Sequence, residues 1–279
     1  MSHIQMLGLC RFSYPTGGDG FEGSAADLGA NRARLYDPAR LALRFWFFEE
    51  ICLPTLAAQT DPDFTVLLIY GEGLPDPWKT RLLQAVSAVP QIRPLARPEG
   101  LPHGALCRAA MQEARDPEAR AVGEFTIDDD DGLASDFIAE ARAGFAPLRP
   151  LWRARKRAAL DFNGGLVLDT GGATGLTLSA VQAEFWAPAL VVFFGPRSSR
   201  SIQDYNHRRL WGRMPALTLP EPVMFLRGSH ESNDSRLERR LPGLGRGAGG
   251  QTGPETLLAE RFGLDAGQLA QSWATRALT

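Results

Sequence analysis

The chain is short of cysteine, of surplus basic charge and of long apolar runs, and each shortage narrows what it can be. Its three cysteines, Cys10, Cys52 and Cys107, are odd in number and form no CxxC pair. They read as reduced core thiols of a cytoplasmic protein, not as a disulfide framework or a metal knot. Thirty Lys and Arg face 32 Asp and Glu, a formal net charge of −2, which argues against binding of nucleic acid or an anionic membrane by bulk charge. No stretch approaches the roughly 18 uninterrupted apolar residues of a membrane span. The N-terminus shows no charged-then-apolar signal pattern, so neither a transmembrane segment nor a leader is expected. Gly17-Gly18-Asp19-Gly20 lacks the Gly-Lys-Ser/Thr ending of a phosphate-cradling loop. There is no internal repeat. The composition that remains, 44% hydrophobic and 22% charged, is that of an ordinary globular protein and too apolar for a disordered chain. With 279 residues the chain can bury roughly three quarters of its unfolded surface, so it needs no metal or disulfide merely to fold. One domain, or a domain with an appended tail, is expected.

Met6 to Phe12 is a short apolar run closed by Ser13-Tyr14-Pro15-Thr16-Gly17-Gly18, a buried strand entering a long loop. Leu41, Phe45, Phe48, Cys52 and Leu56 then recur at spacings of three or four, predicting a helix over 38–57 with Arg40, Arg44 and Glu49 off its apolar stripe. Asp37-Pro38 supplies its N-cap and first-turn proline. Phe64 to Tyr70 is a continuous β-rich run of the kind that a parallel sheet covers on both faces. Helices over 77–89, 101–114 and 133–145 alternate with strands over 91–95 and 124–127. Up to residue 145 the order is therefore β-α-β-α-β-α-β-α, an open and mostly parallel α/β sheet with helices on both faces. Beyond it, 160–168 and 175–178 read as strands of a hairpin across Asp169-Thr170-Gly171-Gly172. Segments 179–186 and 201–211 read as helices, and 223–227 as a last strand. A Gly-rich link, 241–253, leads to a terminal helix over 254–277.

The most informative segment is Phe125-Thr126-Ile127-Asp128-Asp129-Asp130-Asp131-Gly132-Leu133. Four adjacent carboxylates at the end of an apolar strand raise one another's pKa and destabilise the fold unless positive charge is supplied. The carboxyl edge of an open α/β sheet is also where ligands bind. On an extended chain Asp128 and Asp130 would share one side, with Asp129 and Asp131 opposite. Mg²⁺ or Mn²⁺, bound through one or two carboxylates and completed by water and phosphate oxygens, fits such a group. A solvated acidic turn capping the next helix is the alternative, with Asp131 the residue best placed to serve the cap.

The segment from Phe48-Glu49 through Leu53-Pro54-Thr55-Leu56-Ala57-Ala58-Gln59-Thr60 to Asp61-Pro62-Asp63-Phe64 is similar to the helix, QT turn and second strand of inverting family 2 type glycosyltransferases. Ile127 to Leu133 resembles their metal-binding DXD segment. Arg11-Phe12-Ser13, Leu74-Pro75 and the four-Asp run resemble more closely still a bacterial rhamnosyltransferase group of that type. The resemblance covers residues 5–235. It implies a GT-A fold with a Rossmann-like central sheet: a transferase domain over 1–240, in which 1–145 bind the nucleotide sugar and 146–240 serve the acceptor, followed by the 241–279 link and helix. It also implies a Mn²⁺ or Mg²⁺ cofactor, a dTDP-, UDP- or GDP-linked donor, rhamnose as the sugar, and a glycan or lipid-linked acceptor.

Carried over by position, Asp128 and Asp130 match the two ends of DXD, with Asp130 the direct metal ligand and Asp128 and Asp129 toward the nucleotide sugar. Glu72, in Gly71-Glu72-Gly73 where the common pattern has consecutive aspartates, is the candidate for the nucleobase. Ser201 to Leu210 resembles the "ED" helix start of the family, with Gln203 for Glu, which makes Asp204 the general base. A helix N-cap explains Asp204 equally well, and His207 is the next candidate, ahead of Asp169 and Glu184. Glu221 to Ser235 resembles the family's closing segment. Arg227 suits a diphosphate through paired donors, and His230 suits a metal or a phosphate. Asn233 and Ser235 would hold that loop. Arg11 would contact the nucleotide or sugar, or pair with an aspartate of the cluster. The Thr170 to Gly175 and Pro196 to Ser201 loops read as parts of a lid or as plain turns. The Arg149, Arg153, Arg155, Lys156 and Arg157 cluster would meet lipid headgroups, as a peripheral membrane contact, or an acidic glycan, or only solvent. The rival readings are a metal-dependent nucleotidyltransferase or phosphatase, whose early Gly-rich basic loop Arg11-Phe12-Ser13 does not match, and a non-catalytic divalent-ion or glycan-binding protein.

Overall fold

The computed structural model describes residues 3–17, 27–172, 175–230 and 252–276. Four strands build the first half: β1 (Ile4–Arg11), β2 (Thr65–Gly71), β3 (Ile92–Arg97) and β4 (Ala121–Asp128). They pair in parallel in the order β3-β2-β1-β4. Their apolar runs put side chains alternately on the two faces, and both faces are covered. Met6 and Cys10 of β1 join one core with α2 (Pro38–Phe47), α3 (Leu53–Ala57), α4 (Trp78–Ser87) and α6 (Phe137–Arg155). Leu7 and Leu9 join the other, with α5 (His103–Glu113). A short helix, α1 (Leu28–Leu35), is capped by Asp27, which accepts from Gly29 N.

The single helix predicted over 38–57 is α2 and α3 joined through one π-helical turn at Phe48–Cys52. Asp37 caps it as expected, accepting from Arg40 N. The helix predicted from residue 133 starts instead at Phe137, because Gly132–Leu133 leaves the acidic run as a short strand, β5. It continues to Arg155, through Pro147 and Pro150.

The second half departs further from expectation. The strand predicted over 160–168 is two strands in different sheets, β6 (Arg157–Phe162) and β7 (Gly164–Gly172). The chain changes sheets at Asn163, whose N–H bonds Leu219 O while its carbonyl accepts from Ala183 N. The hairpin partner β8 (Gly175–Gln182) takes the first half of the segment read as a helix over 179–186. Leu176, Leu178 and Ala180 alternate with the exposed Thr177 and Ser179, and that period of two prevails. The helix expected over 201–211 is two 3₁₀ turns, Ile202–Asp204 and His207–Gly212. β9 (Leu190–Phe194) runs antiparallel to both β4 and β6, and β10 (Ala216–Leu219) pairs in parallel with β6. This completes a seven-stranded sheet in the order β10-β6-β9-β4-β1-β2-β3.

A second sheet, β5-β11-β7-β8, uses β11 (Phe225–Ser229). The terminal helix is α7 (Pro254–Phe262) and α8 (Ala266–Thr275), parted at Gly263, whose φ of 67° favours glycine. Both pack on the body: Leu258, Phe262 and Leu269 enter the main core, and Trp273 meets Trp46 edge-on. The 241–251 part of the predicted link lies outside the described residues. No helix among the described residues is long and apolar enough to cross a membrane.

Candidate active site

β1 and β4 end together, with Arg11 in register with Asp128. The chain then turns: Asp131 N–H donates to Asp128 O at 3.0 Å, and β5 carries it into the second sheet, antiparallel to β11. The four aspartates are thus the turn that joins the two sheets. Asp129, Asp130 and Asp131 are buried, while Asp128 is exposed in the cleft. Because the run turns instead of extending, the expected alternation fails. Carboxylate oxygens of Asp128, Asp130 and Asp131 come within 4.8 Å of one another, and Asp129 faces Arg44.

Arg44 supplies the positive charge that the cluster requires. One of its nitrogens, Nη1, lies 2.9 Å from Asp130 Oδ2, and Nη2 pairs with Asp129. The apolar stripe of the helix put Arg44 on the polar face, yet it is only 8% exposed. Its signal in the sequence was the need of four carboxylates for a counter-charge. His230, just beyond β11, brings Nε2 within 2.9 Å of the same Asp130 oxygen, its ring tilted by 37° against that of Phe47. Arg44 Nη1 lies equally close to Nε2, at 2.9 Å, so the imidazole, the guanidinium and the carboxylate meet at one point. Gly228 N–H donates to Asp131 Oδ1 at 3.2 Å, and a Cβ on Gly228 would stand 2.4 Å from Asp130 O. Only glycine lets β11 approach the turn this closely.

These contacts divide the carboxyls. Burial opposes ionisation of Asp130, but Arg44, His230 and Arg227 outweigh it and hold this carboxyl well below the usual range. Asp128 and Asp131 are pushed up by desolvation and by Asp130. Burial lowers the pKa of His230, against the pull of Asp130.

A cavity of about 340 Å³ opens on this edge, lined by Arg11, Asp128 to Asp131, Arg227 and His207, together with Arg40, Arg44 and His103, which the sequence reading did not select. The Arg227 guanidinium lies over the Trp186 ring at 4.7 Å. In His207, Nδ1 is 2.5 Å from Phe185 O, which makes it the protonated nitrogen and leaves the lone pair on Nε2. Phe185 holds that carbonyl from a left-handed φ of 54°. Burial lowers the pKa of His207 despite this bond. At the mouth of α5, burial and the charge of Arg11 push His103 down to about 3.

The structure does not bring Asp204 to this cavity. Its carboxylate pairs with Arg108 and accepts from Ser201 N–H at 2.9 Å in a reciprocal capping box, facing a separate cavity with Arg157 and Tyr205. Its neighbour Gln203 lines the cleft instead. Glu72 is exposed after β2 and Glu184 is exposed near the hairpin, while Asp169 turns back to Gly171 N–H; none of the three lines the cleft. Asn233 and Ser235 lie outside the described residues.

Residues 5–240 match the model of one family, described as "Putative rhamnosyl transferase". The chain belongs to that family. Its fold is α/β, with a large, mostly parallel central sheet flanked by helices. No curated protein matches it. Among solved structures it is similar to residues 1–349 of TarS from S. aureus in complex with UDP-GlcNAc, at 10% identity and a TM-score of 0.45. That match covers 83% of this chain and 60% of the other, so the chain spans about three fifths of the TarS 1–349 chain it matches. It is also similar to a "putative nucleotide-diphospho-sugar transferase" from Desulfovibrio desulfuricans G20, with 14% identity, a TM-score of 0.35, and 82% and 83% of the two chains covered. A third is mouse xyloside xylosyltransferase 1, with 7% identity, a TM-score of 0.30, and 76% and 74% covered.

The donor set of this rhamnosyl transferase family member fits a divalent cation. Three carboxylates, Asp128, Asp130 and Asp131, converge, and two of them are pushed toward protonation by desolvation and by the charge of Asp130. A hard cation held by the three relieves that crowding.

Proposed function

We propose that the cleft moves a sugar, rhamnose by the family's description, with inversion from a nucleoside-diphosphate donor to a hydroxyl of a glycan or lipid-linked acceptor. The observation that carries this reading is the meeting of Asp128, Asp130 and Asp131 with Arg11, Arg227 and His207 in one cleft at the carboxyl edge of β1 and β4. In this reading residues 1–145 hold the nucleotide sugar and 146–240 serve the acceptor, in a cytoplasmic enzyme.

The leaving diphosphate gains negative charge as the glycosidic bond breaks, and Arg227 and Arg11 offer paired donors to it. Mn²⁺ or Mg²⁺ held by Asp130 with Asp128 and Asp131 would add Lewis-acid stabilisation of the same charge. Arg44 and His230 orient Asp130 and keep it ionised, which makes His230 a positioning residue. His207 takes the proton of the acceptor hydroxyl on Nε2. Its lowered pKa keeps it in the basic form at neutral pH.

The test is a pair of variants assayed for transfer and for donor binding. His207→Ala should lose about 100- to 10,000-fold in turnover with donor affinity nearly unchanged, and the acid limb of the wild-type rate profile should fall below the ordinary histidine value. Asp204→Asn should keep transfer within a few-fold. The opposite ranking would return the base to Asp204.

A further inference from the structure

At the edge of the large sheet away from the cleft, the start of β4, the end of β9 and the start of β6 meet: Val122 and Arg157 both pair with Phe194. Asp128 is six residues along β4 from Val122, roughly 20 Å at 3.3 Å per residue. A cavity of about 580 Å³ opens there, lined by Arg120, Arg155, Lys156, Arg157, Arg197 and Arg200 and, among the described residues, by no carboxylate. Its apolar wall includes Trp152, Phe194 and Tyr205. An adjoining cavity shares Arg157, Arg200 and Tyr205 with it and adds Arg209 and Arg213; its carboxylate, Asp204, is already paired with Arg108. Arg149 and Arg153 continue the charge along α6, and the fields of Arg153 and Arg120 hold the pKa of Arg149 below its ordinary value. A chain of net charge −2 has therefore gathered ten cations on one region.

Two exposed apolar side chains are flanked in sequence by these cations. Leu151 is 51% exposed and Trp211 is 70% exposed, the largest values among the exposed large hydrophobics of the described residues. Leu151 lies between Arg149 and Arg153 and one helical turn before Arg155, so it shares the face of Arg155. Trp211 lies between Arg209 and Arg213. Cations alone would suit any polyanion. Cations interleaved with an exposed Trp and Leu suit a surface that is anionic outside and apolar just beneath.

We propose that this region docks the protein onto an anionic phospholipid membrane, with Leu151 and Trp211 entering the headgroup layer and the arginines meeting lipid phosphates. The larger basic cavity lies at the end of the large sheet opposite the acidic turn. Net charge does not reveal such a surface, because it does not show that six cations and no carboxylate among the described residues line one cavity.

The test is co-sedimentation of the full chain with vesicles of phosphatidylcholine alone or with about a third phosphatidylglycerol, membranes that differ in the surface charge a basic patch senses. Binding is expected only to the anionic vesicles and should weaken as salt is raised. At about fivefold per charge, the triple variant Arg153→Gln, Arg155→Gln, Arg197→Gln should lose roughly 100-fold in partition. Trp211→Ala should lose several-fold. Should the triple variant melt early, the salt series and Trp211→Ala decide. Equal binding to neutral vesicles, unchanged partition in a folded triple variant or in Trp211→Ala, or tighter binding of a single-stranded oligonucleotide than of anionic vesicles would each overturn the proposal.

Discussion

Arg44 carries the counter-charge of the acidic turn. It contacts Asp129, Asp130 and His230 together, and the aspartates it pairs with are buried. Removing one partner of a buried pair strands the other charge, at a cost of about 3–5 kcal/mol. Arg44→Met should therefore lower unfolding free energy by about that much in urea titration. A loss below about 1 kcal/mol, the worth of a surface pair, would mean that another group balances the carboxylates. The acidic run itself was legible in the sequence, because four adjacent carboxylates at a strand end need a counter-charge, and Arg227 and His230 were legible through the resemblance of 221–235 to the family's closing segment. Arg44 was not, since a stripe of apolar residues says only which side chains avoid water. Nor was the sharing of oxygens among Asp128, Asp130 and Asp131, because alternation presumes an extended chain and the run is a turn.

At the scale of elements, the parallel strands of the first half fell within a few residues of their predicted bounds. Strands buried on both faces carry continuous apolar runs that little else imitates. The second half was less legible because its strands divide between two sheets, and a short apolar segment does not say which sheet it joins. Asn163, where the chain changes sheets, has no distinctive pattern. One consequence concerns Asp161 of β6, whose carboxylate accepts from Phe185 N–H at 3.0 Å and from the Thr218 hydroxyl. Through Phe185 it braces the carbonyl that orients His207. Burial raises its pKa to about 6. A carboxyl raised in the fold binds its proton more tightly there than in the unfolded chain. Its contribution is therefore full below about pH 4 and lost as pH rises through about 6. Asp161→Asn should flatten that part of the stability profile, by about 3 kcal/mol between pH 4 and 7 relative to wild type. Parallel profiles for the two proteins would show that Asp161 does not titrate there.

For the molecule as a whole, the site exists because two sheets meet. The large sheet supplies Arg11 and Asp128, the small one supplies Arg227 and Gly228, and the acidic turn is the covalent link between them. The C-terminal helices add to this body: Arg261 pairs with Asp136 and bonds Val223 O, close to the turn into β11. The central claim is that this junction seats a cation which receives a diphosphate. The most direct measurement is calorimetric binding of UDP, dTDP and GDP, with and without Mn²⁺, to wild type and to Asp130→Asn, whose remaining amide oxygen can still accept from Arg44. The account predicts that Mn²⁺ strengthens nucleotide binding in wild type and has no effect in the variant, whose melting temperature stays close to wild type. Equal strengthening by Mn²⁺ in both proteins would contradict it.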